Sequence, residues 1–439
     1  MADTSLGAKD SAPAAGYPTY RWAILTVVFL FGLFENMSLL ATSIVNPVLL
    51  KVFHFTSAQV GALSSVSSWI AIAMAMVGGY LADRFGPKLV GAFMLVLASV
   101  GNFLWGASGS IGSMVFARVI YGVGGNGGAT PVGNRVFGLW TPPPERGRAA
   151  AIFNFSFPLG TLVLIGVGLP IEFAAGWQTP LYLLGGLGVV VLILWLAFVS
   201  NRPTESRFVR PEQAGYMPKV EQAERIPLGT IIRSSTITGT GLAWGLSGWS
   251  FIFLVAWLPA YFVIVRHLNL EEAAAASIGP WVGGALMGLL AGFITDAVRA
   301  RTGDLRKART YLAAAGQFVF GVAILATLFA QSVIAVAVLL FIAEGCNELS
   351  ASIFQVIPVD TLAERAGSAT GWIFLLANLF VTLSPVITGP LLIHGTDFLP
   401  AFLVAGILPL IGGVILLTAV YPGHLHRPRA EAAAPATSA

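Results

Sequence analysis

The sequence predicts an all-α integral membrane protein with twelve transmembrane helices in two six-helix pseudo-repeat halves. Three observations carry this reading. Hydrophobic residues make up 56% of the 439 and charged residues only 10%, with a mean hydropathy of +0.81, where a soluble domain carries about 25% charged residues. A helix needs roughly 20 apolar residues to cross a bilayer, and the chain holds twelve such runs. A charged turn at Asp83 returns in weaker form at Asp296, 213 residues later (296 minus 83) and nearly half the chain away, which marks an internal repeat.

In chain order, residues 1–21 are polar, with no apolar core and no cleavage-like site, so the first span is expected to remain in the mature protein. The N-terminal half, 22–200, holds spans at 22–50, 57–80, 89–108, 112–139, 147–171 and 179–200. Residues 201–235 are rich in Pro, Arg and Glu and read as a linker carrying a short surface helix. The C-terminal half, 236–421, holds spans at 236–264, 273–298, 308–329, 331–358, 366–391 and 398–421. The tail, 422–439, has too little apolar surface to stay ordered.

Basic residues set the topology, because Lys and Arg accumulate on the cytoplasmic side. With the amino terminus inside, two of the 24 Lys and Arg (Lys51 and Arg266) fall outside, Arg118 falls within a span, and the other 21 (24 minus 3) are cytoplasmic. Both termini, the linker and both charged turns are then cytoplasmic. The cell membrane, the inner one in a bacterium, is the expected location, and a monomer the expected state.

Several function classes drop out. The single Cys346 excludes an internal disulfide and a cysteine metal cluster. The net charge of +4 comes from loop residues with no basic stripe between aromatics, so nucleic acid is not an expected partner. Gly122-Val123-Gly124-Gly125-Asn126-Gly127 satisfies the Gly-x-Gly-x-x-Gly spacing of dinucleotide folds, but that spacing signifies only after a strand. Within a membrane span, small residues instead let a neighbouring backbone approach. No phosphate-cradling loop, catalytic Ser/His/Asp order or metal spacing stands out, so neither an enzyme nor a cofactor is expected.

The turn Gly79-Tyr80-Leu81-Ala82-Asp83-Arg84-Phe85-Gly86-Pro87-Lys88 resembles the loop between spans 2 and 3 of the major facilitator superfamily, with Pro87 where that pattern has Arg. Its second copy is Gly292-Phe293-Ile294-Thr295-Asp296 with Arg299 and Arg301 behind it, and Glu145-Arg146-Gly147-Arg148 is echoed by Glu364-Arg365-Ala366-Gly367. The resemblance covers residues 20–421 and implies the twelve-helix fold of that family. It also implies that Gly79, Asp83, Arg84, Gly86, Lys88, Asp296 and Arg299 form a conformational switch. Arg21-Trp22, Arg118 with Gly122 and Gly124, Trp257-Leu258-Pro259-Ala260-Tyr261, Asn378, Pro385 and Gly389 resemble the anion:cation symporter branch, which implies transport of organic anions. Where that branch has Asp-Arg in span 1, a Glu in span 4 and a Tyr in span 2, this chain has Glu35-Asn36, Gly125 and Ala71.

Charge inside a bilayer costs about 2.5–3.5 kcal/mol per residue at a helix centre, so each retained charge is a candidate. Glu35 and Arg118 come out at similar depths at a rise of roughly 1.5 Å per residue and are expected to pair. Glu344 and Glu348 share a face of span 10, and two carboxylates so close in low dielectric do not both ionise readily. Glu35, Glu344 and Glu348 are the proton-coupling candidates. Arg118, Asn36, Asn154 and Asn378 are the substrate-binding candidates. The reading is a secondary active transporter, symporting protons with a small organic anion by alternating access. The alternatives are transport of a cationic or amphiphilic compound, favoured by three acids against one Arg, and a non-transporting membrane sensor.

Overall fold

A computed structural model of the chain describes residues 18–125, 128–214, 226–391 and 397–426. The N-terminal half comprises α1 (Arg21–Lys51), α2 (Ser57–Phe85), α3 (Pro87–Gly106), α4 (Ile111–Gly124), α5 (Ala129–Trp140), α6 (Arg146–Val163), α7 (Leu169–Ala175) and α8 (Gln178–Phe198). After short α9 (Pro211–Ala214) and α10 (Leu228–Arg233) come α11 (Ser235–Ile264), α12 (Leu270–Ala276), α13 (Ile278–Thr302), α14 (Leu312–Ala326), α15 (Val333–Thr361), α16 (Ala366–Leu391) and α17 (Leu399–Ala419). Among the described residues, eleven of the twelve expected spans are helices long and apolar enough to cross a bilayer. The linker is helical only at Pro203–Glu205, α9 and α10 among its described residues. Residues 1–17, 215–225 and 427–439, with the expectations placed on them, lie outside the described residues.

Local chemistry fixes the ends. Thr56 and Gln59 form a capping box at the start of α2, and Ser110 and Ser113 form another at α4, each satisfying amide groups that a helix start leaves open. Between α2 and α3 the chain turns at Gly86, whose φ of 89° is open to glycine, and Pro87 occupies the first helical position. The lipid-facing sides carry large exposed apolar residues such as Leu89, Ile193, Phe293 and Val386, as expected where the solvent is hydrocarbon.

The fourth span is the exception to a continuous helix over 112–139. α4 closes at Gly124 and α5 opens at Ala129. Glycine costs roughly 1 kcal/mol relative to Ala in a helix, and the run from Gly124 to Gly128 concentrates that cost at one point. Asn126 and Gly127 lie outside the described residues. The close-packing role expected of the glycines holds where they are described. A Cβ at Gly122 would stand 3.1 Å from the Ser67 carbonyl oxygen of α2, and one at Gly124 would stand 2.7 Å from the Ala98 amide of α3.

The halves meet through α2 against α16 and α13 against α6, at the side that carries both charged turns. Tyr20 stacks on Phe208 and Leu425 accepts from the Ser234 hydroxyl, so both described ends of the chain lie on this turn side too.

Candidate functional site

At the turn side, Asp83 on α2 crosses to the other half. Its Oδ1 accepts from the Gly367 amide (3.1 Å) and its Oδ2 from the Ser368 amide (2.6 Å) and hydroxyl. Asp296 on α13 mirrors it, with Oδ1 taking the Gly147 amide (3.1 Å) and Oδ2 the Arg148 amide (3.0 Å). Each carboxylate thus caps the start of a helix in the opposite half, α16 or α6, where open amides and the helix dipole favour negative charge. Close approach is possible because glycines face the joint. A Cβ at Gly79 would run into the Gly367 carbonyl, and one at Gly292 would stand 2.6 Å from the Gly147 carbonyl oxygen.

Arginines complete the joint. Arg135 stands 3.4 Å from Asp83 and donates to the Ala363 carbonyl at 2.8 Å. Asp360, at the end of α15, receives Arg309 at 2.9 Å, Arg146 at 3.0 Å and Arg299 at 3.7 Å. Arg309 also reaches Asp296 at 3.4 Å. Sequence reasoning missed Arg135, Arg146, Arg309 and Asp360 as members of the joint, because charges at span ends look like solvated loop residues. Arg84 and Lys88 stay within their own half. The Arg84 side chain donates to Tyr80 at 3.2 Å, and the Lys88 amide donates to Asn201 at 3.0 Å.

Deeper in the N-terminal half, Glu35 is buried on α1 beside the break in the fourth span, and a Cβ at Gly125 would stand 2.7 Å from its Oε2. Arg118 is 1% exposed. Its guanidinium lies 4.7 Å from the Trp105 ring and 4.8 Å from the Tyr121 ring, and it donates to the Ser67 hydroxyl. The Tyr121 hydroxyl donates to the Glu35 carbonyl oxygen at 3.1 Å. Among the described residues no Glu35–Arg118 ion pair forms: the guanidinium turns to Trp105, Tyr121 and Ser67, and Tyr121 bonds the Glu35 main chain. Tyr121 follows Arg118 by three residues on the same helical face, and its ring covers the cation, an attraction of about 2 kcal/mol when desolvated. Nε and Nη1 of Arg118 are buried without a hydrogen-bond partner among the described residues.

The C-terminal acids differ from each other. Glu344 is buried, and its Oε2 takes the Asn347 amide at 3.1 Å. Glu348 is half-buried and accepts from Asn154 of the other half at 2.9 Å. The Asn154 Oδ1 accepts from Gln355 at 2.7 Å, while Asn134 bonds the Gln355 carbonyl at 3.0 Å and the Thr370 hydroxyl at 2.9 Å. These bonds clasp the halves together between the glutamates and the turn side. Asn36 accepts from Thr161 at 3.2 Å, and Asn378 donates to its own helix at the Phe374 carbonyl (2.8 Å).

Two helical halves related by repeat, joined at one side by paired carboxylate caps and holding buried ionisable side chains, have the architecture of a secondary transporter. Residues 24–385 match the Major Facilitator Superfamily. The chain belongs to that family of membrane transporters, and is not an enzyme. It is 28% identical over 407 residues to the probable sulfoacetate transporter SauU of Cupriavidus necator, covering 90% of this chain and 93% of the relative. It is 26% identical over 408 residues to the hexuronate transporter of Bacillus subtilis, covering 91% and 94%. Among solved structures, the proton:xylose symporter XylE superposes with a TM-score of 0.69 at 17% identity, covering 93% of this chain and 97% of that one. FucP in its outward conformation superposes with a TM-score of 0.69 at 12% identity, covering 92% and 100%.

Proposed function

We propose that the chain is a monomeric symporter that couples proton entry to uptake of a small organic acid. The turn side is taken as cytoplasmic, so the described state, sealed at that side, faces outward. The relatives named for sulfoacetate and hexuronate support an anionic substrate. The observation that carries the coupling is the line Glu35, Tyr121, Arg118: a buried acid and a buried cation joined through Tyr121, whose ring lies against the Arg118 guanidinium and whose hydroxyl donates to the main-chain carbonyl of Glu35. In low dielectric a cation still acts on an acid across one intervening side chain. Movement of Arg118 towards a substrate carboxylate or sulfonate would weaken its hold on Glu35 and favour uptake of a proton there, and return of Arg118 would reverse this. Arginine suits the task because its planar fork stays charged and matches a carboxylate.

Uptake of labelled hexuronate and sulfoacetate into proteoliposomes, with and without an inward proton gradient, tests this reading. Gradient-driven accumulation of either acid supports it, and uptake indifferent to the gradient contradicts it. A second reading, transport of a cationic compound, draws on Glu348, the half-buried acid of the span 10 pair, while Arg118 is sealed behind Trp105. The same vesicles offered labelled amines decide between the two.

A further inference from the structure

Lys88, part of the charged turn, takes no part in the joint between the halves. It lines a cavity of about 320 Å³ at the turn side, together with Leu196, Phe198 and Ser200 from the end of the N-terminal half and Arg207 and Phe208 from the start of the linker. Lys88 is the second residue of α3 and Phe198 the last of α8, so the cavity sits at the height where spans end and headgroups begin. Its flanks face lipid, since Leu89 is 64% exposed and Ile193 60%.

The charge of this cavity is positive. No ion pair reaches Lys88 or Arg207 among the described residues, while Glu205, the one acid lining the cavity, faces Arg202 at 3.9 Å. The Arg207 guanidinium lies over the Phe208 ring at 4.7 Å, and Phe208 stacks on Phe198 and on Tyr20. Those contacts leave its N–H groups without an acid to bond. The walls hold together without a ligand: the Trp195 indole donates to the Lys88 carbonyl at 3.0 Å and the Tyr20 hydroxyl to the Phe198 carbonyl at 2.9 Å.

We propose that this cavity binds the phosphate of an anionic phospholipid headgroup, with Lys88 and Arg207 as its two cations and the acyl chains running down the exposed α3–α8 face. Headgroup height, open lipid flanks and two unpaired cations suit a lipid better than a soluble anion, which would not need an apolar flank. Basic pockets between spans select anionic headgroups for the same reason. The site stands apart from the transport reading, since none of Glu35, Arg118 or Glu348 lines it.

The test is retention of phosphatidylglycerol and phosphatidylcholine by the full chain in detergent, read by native mass spectrometry. Each basic group near an anionic surface contributes roughly fivefold in affinity, so K88Q/R207Q is expected to hold phosphatidylglycerol about 25-fold more weakly, with phosphatidylcholine unchanged. K88R/R207K, which keeps both charges, should restore retention and shows that loss is not misfolding. Equal retention of phosphatidylglycerol by wild type and K88Q/R207Q overturns the proposal. Displacement of the lipid by millimolar inorganic phosphate or glycerol phosphate also overturns it, in favour of a soluble phosphate site.

Discussion

Asp83 and Asp296 are equivalent across the repeat: each sits at the turn-side end of its helix and caps the first amides of a helix in the opposite half, α16 for Asp83 and α6 for Asp296. The joint is thus two crossed latches rather than one. In the proposed transport cycle, opening at the turn side would strip both carboxylates of their amide partners.

Hydrogen bonds to a charged group contribute about 1.5–3 kcal/mol. Asp83→Asn or Asp296→Asn is therefore expected to favour the state open at the turn side by roughly ten- to a hundredfold and to depress turnover, with little change in expression. Reactivity of an introduced turn-side cysteine towards a membrane-impermeant reagent checks this, since accessibility should rise in both variants. An unchanged rate in Asp83→Asn would leave α2 and α16 held by packing alone.

The clasp of Asn154, Glu348 and Gln355 should behave as a third latch nearer mid-depth. Gln355→Ala removes one neutral bond, worth about 1 kcal/mol, and leaves Asn154 held by Glu348 alone. It is expected to raise turn-side accessibility roughly fivefold. If instead the variant lost substrate affinity and kept its accessibility, Asn154 would be acting on the substrate rather than between the halves.

Arg118→Lys keeps the charge but loses the planar group that lies against Trp105 and Tyr121. Transport should fall at least tenfold, because two desolvated ring contacts of about 2 kcal/mol each are weakened together. Near-normal affinity for an organic acid in this variant would place substrate recognition elsewhere and move weight to a cationic substrate.

Topology has its own check. Gly109→Cys, at a position where a Cβ meets open space, and Glu212→Cys, in the exposed linker, should label from opposite sides of the membrane, with Gly109→Cys external. Labelling of both from one side contradicts the twelve-span arrangement.

The fold was legible because span number, the Asp83/Asp296 repeat and the turn chemistry at Gly86-Pro87 are all written in local sequence. The joint was half legible. The carboxylates stand inside a recognisable turn, but Arg135, Arg309 and Asp360 acquire meaning only when helices far apart in sequence bring them within 3.4 Å of their partners. Depth counting placed Glu35 and Arg118 at one level but said nothing about azimuth, and so could not see Arg118 turn to Trp105, Tyr121 and Ser67. Hydropathy was blind to the break in the fourth span, since a glycine run scores much like the helix around it.

The coupling claim is tested most directly by Glu35→Gln in proteoliposomes, with proton-driven accumulation and substrate exchange measured side by side and Glu344→Gln as comparison. The account predicts that Glu35→Gln abolishes accumulation against a gradient yet still exchanges labelled for unlabelled substrate, while Glu344→Gln continues to accumulate. Accumulation by Glu35→Gln with the pH dependence of the wild type would contradict it.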